Sequence, residues 1–484
     1  MNTLNKIKDN EIIAVDSVYS QVANNLADKV KEILTYNDSY WKQGRFRKEK
    51  VEYQQSMLTF YRKSGEYWMF TGQIPRVIQN LREQNVPVKL ISRIPHIEFD
   101  TPHVKGITFR EDQDKILMTA IEQGRGVIVS ATGTGKSIII RGLVSAFNQE
   151  KILFLVHTTD LVQQMKEDLK EEVDDLGEWS GKTKKKARVM VATIQSFHKV
   201  VKDYVNYFQI VVVDEAHHQN DINNTYGKTL SMLAAPVKFG FTATLPATEK
   251  GRFHLEAMIG PVIANFSIQE AIGKGILSKP ILKFIEIPDV PGYSLFDEST
   301  LPIPEKRRKD PDYRPSKYRT VYWNGLVTNT TRNMIIIDIA EDYMKRGETT
   351  LISVVNIEHG NEISDIAEDY YDLKYGKDFV FIHGGTPKKE RNQIKKDFKS
   401  KKILLVIATT IWQEGVDVPS LNCCILASAG KGKIGVIQKV GRGLRKTKTK
   451  TTVNIYDMAD TCHKYLRDQF TARCTIYKNN GWIE

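Results

Sequence analysis

Three short stretches carry side chains whose types and spacing suit chemistry on a phosphorylated ligand. In "SATGTGKS" (130–137), Gly133 and Gly135 let the backbone bend so that its N–H groups point at phosphates. Ala131, Thr132 and Thr134 complete that loop, Lys136 can reach β and γ oxygens, and Ser137 offers a hydroxyl to Mg²⁺. Ser130 stands where the general pattern has its first glycine. In "IVVVDEAHH" (210–218) an apolar run ends in two carboxylates: Asp214 to hold Mg²⁺, usually through water, and Glu215 to orient or deprotonate an attacking water. In "QKVGRGLR" (438–445), Arg442 and Arg445 are three apart and share one face if helical, while Gly441 and Gly443 suit a backbone that something approaches closely. Taken alone, that stretch reads as a solvated basic helix end.

The elements around these residues are those such chemistry needs. "GVIVS" (126–130) reads as a buried strand and "KSIIIRGLV" as an amphipathic helix, so the glycine loop sits between strand and helix. Further Val- and Ile-rich runs recur at 151–156, 188–193, 210–215 and 238–244, then at 350–355, 379–385, 403–410, 423–428 and 452–457, between longer helical patterns. Two doubly wound α/β domains follow. Ligands gather at the C-terminal ends of such strands, which predicts Asp214 and Glu215 facing the same site as Lys136. His217 suits a structural role, a metal site, or a hydrogen-bonded link to another segment, and without a companion Cys/His cluster the link is expected. His218 is expected at the surface.

Composition limits the ligand. The 484 residues suffice for two to four domains, and 41% hydrophobic with 26% charged residues excludes a disordered majority. A net charge of +12 favours a polyanionic partner, nucleic acid by default. The four cysteines lack C-x-x-C spacing, and Cys423-Cys424 falls in an apolar strand run, as in a reducing cytoplasm. No segment is apolar for long enough to predict export or membrane insertion.

The motifs in order resemble the superfamily-two helicases and translocases. "ITFREDQDKIL" (107–117) is similar to their adenine-recognising segment, with Gln113 reading the base edge and Phe109 stacking on it. "SATGTGKS", "DEAH" and "TAT" (242–244) match their phosphate loop, their Mg²⁺/water segment and their coupling tripeptide; "LVHTTDLVQQ" (155–164) and "VATIQSF" (191–197) resemble segments that touch a strand's backbone. "SVVNIEHG", "FIHGGTPKKERNQIKKDF", "IATTIWQEGVDVPSL" and "QKVGRGLR" continue the match to about residue 460. The resemblance implies two RecA-like doubly wound parallel-sheet α/β lobes with a small N-terminal α+β domain, divided as residues 1–105, 106–278 and 279–484, with an exposed basic insertion near 293–320. It implies Arg442 and Arg445 as arginine fingers, Gln438 as a positioning residue, Gly415 as a close approach to the nucleotide and Asp417 as a bond to a nucleotide hydroxyl or an arginine.

Within the superfamily the chain is most similar to the bacteriophage UvsW and D10 type of branch-migration DNA helicases, with a plan also similar to the XPB-like group. That implies ATP and Mg²⁺ as cofactors, branched or duplex DNA as partner and a monomer in the cytoplasm, a bacterial host's if phage-encoded. The alternatives are an RNA-remodelling helicase and a duplex-DNA translocase that does not unwind. In the leader, "YWKQGRFRKEKVEYQQSMLTFYRKSGEYWMF" (40–70) interleaves Trp41, Phe46, Phe60 and Tyr61 with Lys and Arg, a composition that suits DNA contact and equally a strand core with a solvated face.

Overall fold

The computed structural model describes residues 7–43, 48–288, 295–297, 301, 316–354, 356–409, 421–428, 430, 444, 446 and 450–483. The chain forms two compact units, Met1–Ala131 with Gly135–Ser267, and Thr132–Thr134 with Ile268–Glu484. The border at Ser267 falls before the expected join at 278, and the leader shares its unit with the first lobe.

The leader contributes seven strands: β1 (Glu11–Ala14), β2 (Tyr19–Val22), β3 (Thr35–Gln43), β4 (Lys48–Ser56), β5 (Thr59–Tyr61), β6 (Glu66–Phe70) and β7 (Lys89–Ser92). Five make a mixed sheet in the order β5-β6-β2-β1-β7, while β3 and β4 pair with each other as a separate antiparallel hairpin. Helix Ile74–Glu83 buries Ile74, Val77, Ile78 and Leu81 in a core continuous with Phe253, Leu255 and Met258 of the first lobe. Contact there is so close that a Cβ on Gly72 would lie 2.1 Å from the Glu256 carbonyl oxygen. Arg76 clamps Glu256 through two hydrogen bonds of 2.8 and 2.5 Å.

The first lobe is an eight-stranded sheet of β8 (Arg125–Ser130), β9 (Ile152–Val156), β10 (Leu176–Ser180), β11 (Thr183–Lys185), β12 (Val189–Thr193), β13 (Ile210–Asp214), β14 (Val237–Thr242) and β15 (Val262–Phe266). Its order is β11-β10-β12-β9-β13-β14-β8-β15, parallel except for β11. Strands β9 and β12 are buried along their whole length, the consequence of helices on both faces, and their continuous apolar runs follow from that. The second unit holds a fully parallel six-stranded sheet of β16 (Lys279–Glu286), β17 (Thr349–Ser353), β18 (Phe379–Ile382), β19 (Leu405–Ala408), β20 (Leu421–Leu426) and β21 (Thr452–Ala459), in the order β16-β21-β20-β17-β19-β18. Cys423 and Cys424 lie buried in β20. Among the described residues no helix is long and apolar enough to cross a membrane.

The expected exposed insertion near 293–320 falls largely outside the described residues; of those described within it, Phe296, Asp297, Ser316, Lys317 and Tyr318 are exposed, while Leu301 and Thr320 are buried. Ser316 caps helix Lys317–Tyr322, whose Val321 joins Leu326 and Leu466 in a short apolar cluster.

The second unit also contains a charge clasp. Arg332, fully buried, donates to Asp460 at 2.7 and 3.0 Å and to the Ala427 carbonyl at 2.7 Å, tying helix Thr330–Lys345 to the ends of β20 and β21. Removing one partner of a buried pair strands the other charge, so Arg332→Met is expected to cost about 3–5 kcal/mol, read as a lower urea midpoint for this unit.

Candidate active site

Strands β8, β14 and β13 are adjacent and parallel, so Ser130, Thr242 and Asp214 all end on one edge of the sheet. The glycine loop follows β8 there. Gly133 and Gly135 have φ of 83° and 100°, the left-handed region that glycine enters without a Cβ penalty. Lys136 opens helix Lys136–Ala146, whose N-terminus presents free N–H groups and the positive end of its dipole. The Ala131 N–H pairs with the Phe266 carbonyl at 3.2 Å.

Gln113 sits in the first turn of helix Glu111–Gln123, nearly fully buried. Its Oε1 accepts the Arg110 N–H at 3.2 Å, whereas its Nε2 is buried without a hydrogen-bond partner. A Cβ on Gly135 would lie 2.3 Å from that Nε2, so the amide reaches the glycine loop itself. Phe109 packs its ring edge on Gly142, where a Cβ would meet it at 3.0 Å, on the helix that the loop feeds. An orphaned buried donor beside a phosphate-type loop fits a purine nucleotide, whose ring nitrogens are acceptors. Gln113→Ala is therefore expected to raise KM for ATP about 10-fold and to narrow the preference over GTP, as measured by steady-state hydrolysis of both.

Two carboxylates stand opposite the loop. Burial pushes the Asp214 carboxyl up, Lys136 draws it down, and Glu215 and Asp168 push it up again. Glu215 has φ 50° and ψ 48°, left-handed backbone that costs a side-chain-bearing residue of order 1–3 kcal/mol and turns the chain sharply after β13. Ser137 Oγ donates to Asp168 Oδ2 at 2.6 Å. Hydroxyl and carboxylate oxygens are the donors Mg²⁺ takes when nucleotide phosphates complete its shell, so Ser137 and Asp214 fit that ion.

The link expected of His217 is present: its Nδ1 lies 3.0 Å from Thr242 Oγ1 and 3.3 Å from Glu215 Oε2. Thr242 Oγ1 in turn donates to the Thr244 carbonyl at 2.7 Å, within the "TAT" segment. His218, by contrast, is not at the surface. Half-buried, it stacks on His157 at 4.3 Å, with Tyr226 at 6.1 Å, and burial, His217 and His157 hold its pKa down at about 4. The stack joins "LVHTTD" to "DEAHH", a contact between β9 and β13 ends that neighbouring strands create and spacing in sequence does not reveal.

Asp168 and Arg110 were not foreseen. Asp168 belongs to helix Thr159–Leu169 and meets Ser137 because two helices lie side by side, which Arg141 repeats one turn on by pairing with Glu172. Arg110 is held by Asp112 at 2.8 and 3.2 Å, close to Gly135. Gly415, Asp417, Gln438, Arg442 and Arg445 lie outside the described residues; Leu444, between the last two, is fully buried and its carbonyl accepts the Ser278 N–H at 2.6 Å.

Residues 106–247 match the family model "Type III restriction enzyme, res subunit" and residues 331–447 match "Helicase conserved C-terminal domain". The chain is 26% identical over 361 residues to a DNA 3'-5' translocase XPB2 of Sulfurisphaera tokodaii, covering 70% of this chain and 79% of that one. It is 24% identical over 359 residues to the ATP-dependent DNA helicase uvsW of Enterobacteria phage T4, covering 70% and 65%. A solved structure of the helicase MrfA bound to DNA superposes with TM-score 0.57 at 15% identity, covering 79% of this chain and 55% of that one. The last likeness concerns the fold.

Proposed function

We propose that this chain, which belongs to the superfamily-two helicases, is an ATP-hydrolysing motor that moves on DNA and remodels branched structures such as forks, D-loops and four-way junctions. One observation carries the hydrolytic part of the reading. Lys136, Asp214 and Glu215 lie at one end of adjacent parallel strands, and the His217 ring, 3.3 Å from Glu215, is hydrogen-bonded to Thr242, whose hydroxyl donates to the Thr244 carbonyl.

In this reading Lys136 and the loop hold the β- and γ-phosphates, and Glu215 takes a proton from the attacking water or aligns it. Mg²⁺ would be held by Ser137 and Asp214 and would neutralise phosphate charge. Loss of the γ-phosphate alters what Glu215 faces, and His217 passes that change to Thr242, away from the nucleotide. A protein built to store nucleotide needs no such outlet.

DNA as the track is supported by the net charge of +12 and by relatives named as a DNA translocase and a DNA helicase. Branched DNA rests on similarity to the phage branch-migration group. Steady-state ATPase rates with a four-way DNA junction, blunt DNA duplex and RNA duplex at matched salt test the assignment, because polyanion affinity shifts steeply with salt. The junction should stimulate most. Stimulation by RNA alone would replace DNA with RNA as the track.

A further inference from the structure

The pair β3–β4 stands apart from the eight-stranded sheet of its unit and from the leader's own five-stranded sheet. In an antiparallel pair, opposed residues share a face, so Tyr36 with Gln55, Asp38 with Tyr53, and Tyr40 with Val51 lie on one side. At the base of that side Tyr36 is buried against Phe253 and His254. Farther out, Tyr40 and Tyr53 meet edge to face at 5.9 Å, yet remain 51% and 40% exposed. Two large aromatics held in fixed geometry and left in water offer bases a stacking platform. Lys42 is exposed on β3 and Lys50 on β4, the latter paired with Glu52.

The base of the hairpin is wired to the catalytic segment. Tyr53 Oη donates to Asp38 Oδ2 at 2.7 Å, and Lys250 bridges Asp38 and Asp221 at 3.1 Å each. Asp221 follows His218 by three residues. A second strut runs beside the first: the Ile222 N–H donates to His254 Nδ1 at 3.0 Å, which leaves His254 Nε2 as the donor to Tyr36 Oη at 2.9 Å. Every link is made by side chains that are buried or half-buried until Tyr53 reaches solvent.

We propose that the paired strands Thr35–Gln43 and Lys48–Ser56 contact the unstacked bases at a DNA fork through Tyr40 and Tyr53, and that the Asp38–Lys250–Asp221 bridge reports this contact to the segment carrying Asp214 and Glu215. The inference rests on the DNA-motor reading above. It goes further by naming a surface, a DNA feature and a route. The leader strands give affinity, and Lys250 gives the coupling.

Two variants separate those roles. Tyr40→Ala removes a stacking ring, while Asp38→Asn keeps the shape of the bridge and removes its charge. ATPase is titrated with a forked DNA duplex and with a blunt duplex of equal length, and fork binding is followed by fluorescence anisotropy. Tyr40→Ala should raise the half-saturating fork concentration about 10-fold, leave the blunt duplex curve in place and leave the DNA-free rate unchanged. Asp38→Asn should bind the fork as the native chain does and lose about fivefold in maximal stimulation. Thermal melts identify a variant that fails to fold, in which case Tyr53→Phe, which breaks only the bond to Asp38, carries the same expectation as Asp38→Asn. Native binding and native stimulation in both variants would overturn the fork contact. A native chain whose ATPase ignores all DNA would instead overturn the motor reading, and the fork contact with it.

Discussion

Glu215→Gln is expected to bind ATP as the native chain does and to hydrolyse it about 10²–10⁴ times more slowly, the range attached to a positioned general base. The substitution is nearly isosteric, and glutamine tolerates the same left-handed backbone no worse than glutamate, so the turn after β13 and the His217 contact with Thr242 should survive. What disappears is a carboxylate able to accept a proton from water. Single-turnover hydrolysis separates the effect from binding: the nucleotide Kd stays in place and the chemical rate collapses. A fall of less than about fivefold would mean that Glu215 does not act on the water and that its strained backbone serves another purpose.

The second large effect is expected at Arg442. On the resemblance to superfamily-two motors, Arg442 and Arg445 bring fixed positive charge to the γ-phosphate as negative charge develops there, a role worth about 10³–10⁵ in rate. Arg442→Ala should lower kcat by that order with a small change in KM, since charge that matters mainly in the transition state leaves ground-state binding nearly intact. Arg442→Lys should recover little, because an ammonium cannot reproduce the planar fork of a guanidinium. Neighbouring Leu444 is fully buried and its carbonyl bonds the Ser278 N–H, and a thermal melt of the alanine variant checks that the fold is kept. A kcat within 10-fold of native would remove Arg442 from the chemistry and return "QKVGRGLR" to a basic helix end.

The sequence made the parallel strands legible wherever both faces of a sheet are covered. The strands inside "KILFLV", "RVMVAT", "IVVVDE" and "ILLVIATT" are apolar along nearly all their length because both of their faces are covered. Strand β10 escaped notice for the opposite reason. "LGEWS" carries a glycine and a glutamate, and Glu178 is tolerated in a buried strand because Ser180 of the same strand and Lys166 of a neighbouring helix bond it. Strand β15 lies at the sheet edge, and its Val262 and Asn265 are exposed.

At the candidate site, the meeting of the glycine loop, Lys136 and the Asp214-Glu215 pair at one sheet end was legible because each lies in a local strand-and-turn pattern. His218 and Asp168 were not, since each owes its place to a neighbouring element: the His157 ring for one, the Ser137 helix for the other. The leader's aromatics were ambiguous between core and contact for a similar reason. Tyr36 and Tyr40 lie on one strand face four residues apart, yet the first is buried on the lobe and the second stands in water. Only packing against Phe253 and His254 decides between them.

The most direct test of the central claim is conversion of a synthetic four-way DNA junction into forked products with ATP and Mg²⁺, run beside a tailed RNA duplex and beside Lys136→Ala. The account predicts that the native chain converts the junction, that Lys136→Ala does not, and that the RNA duplex stays paired. An intact junction beside a separated RNA duplex would contradict it, leaving a superfamily-two motor with a different track.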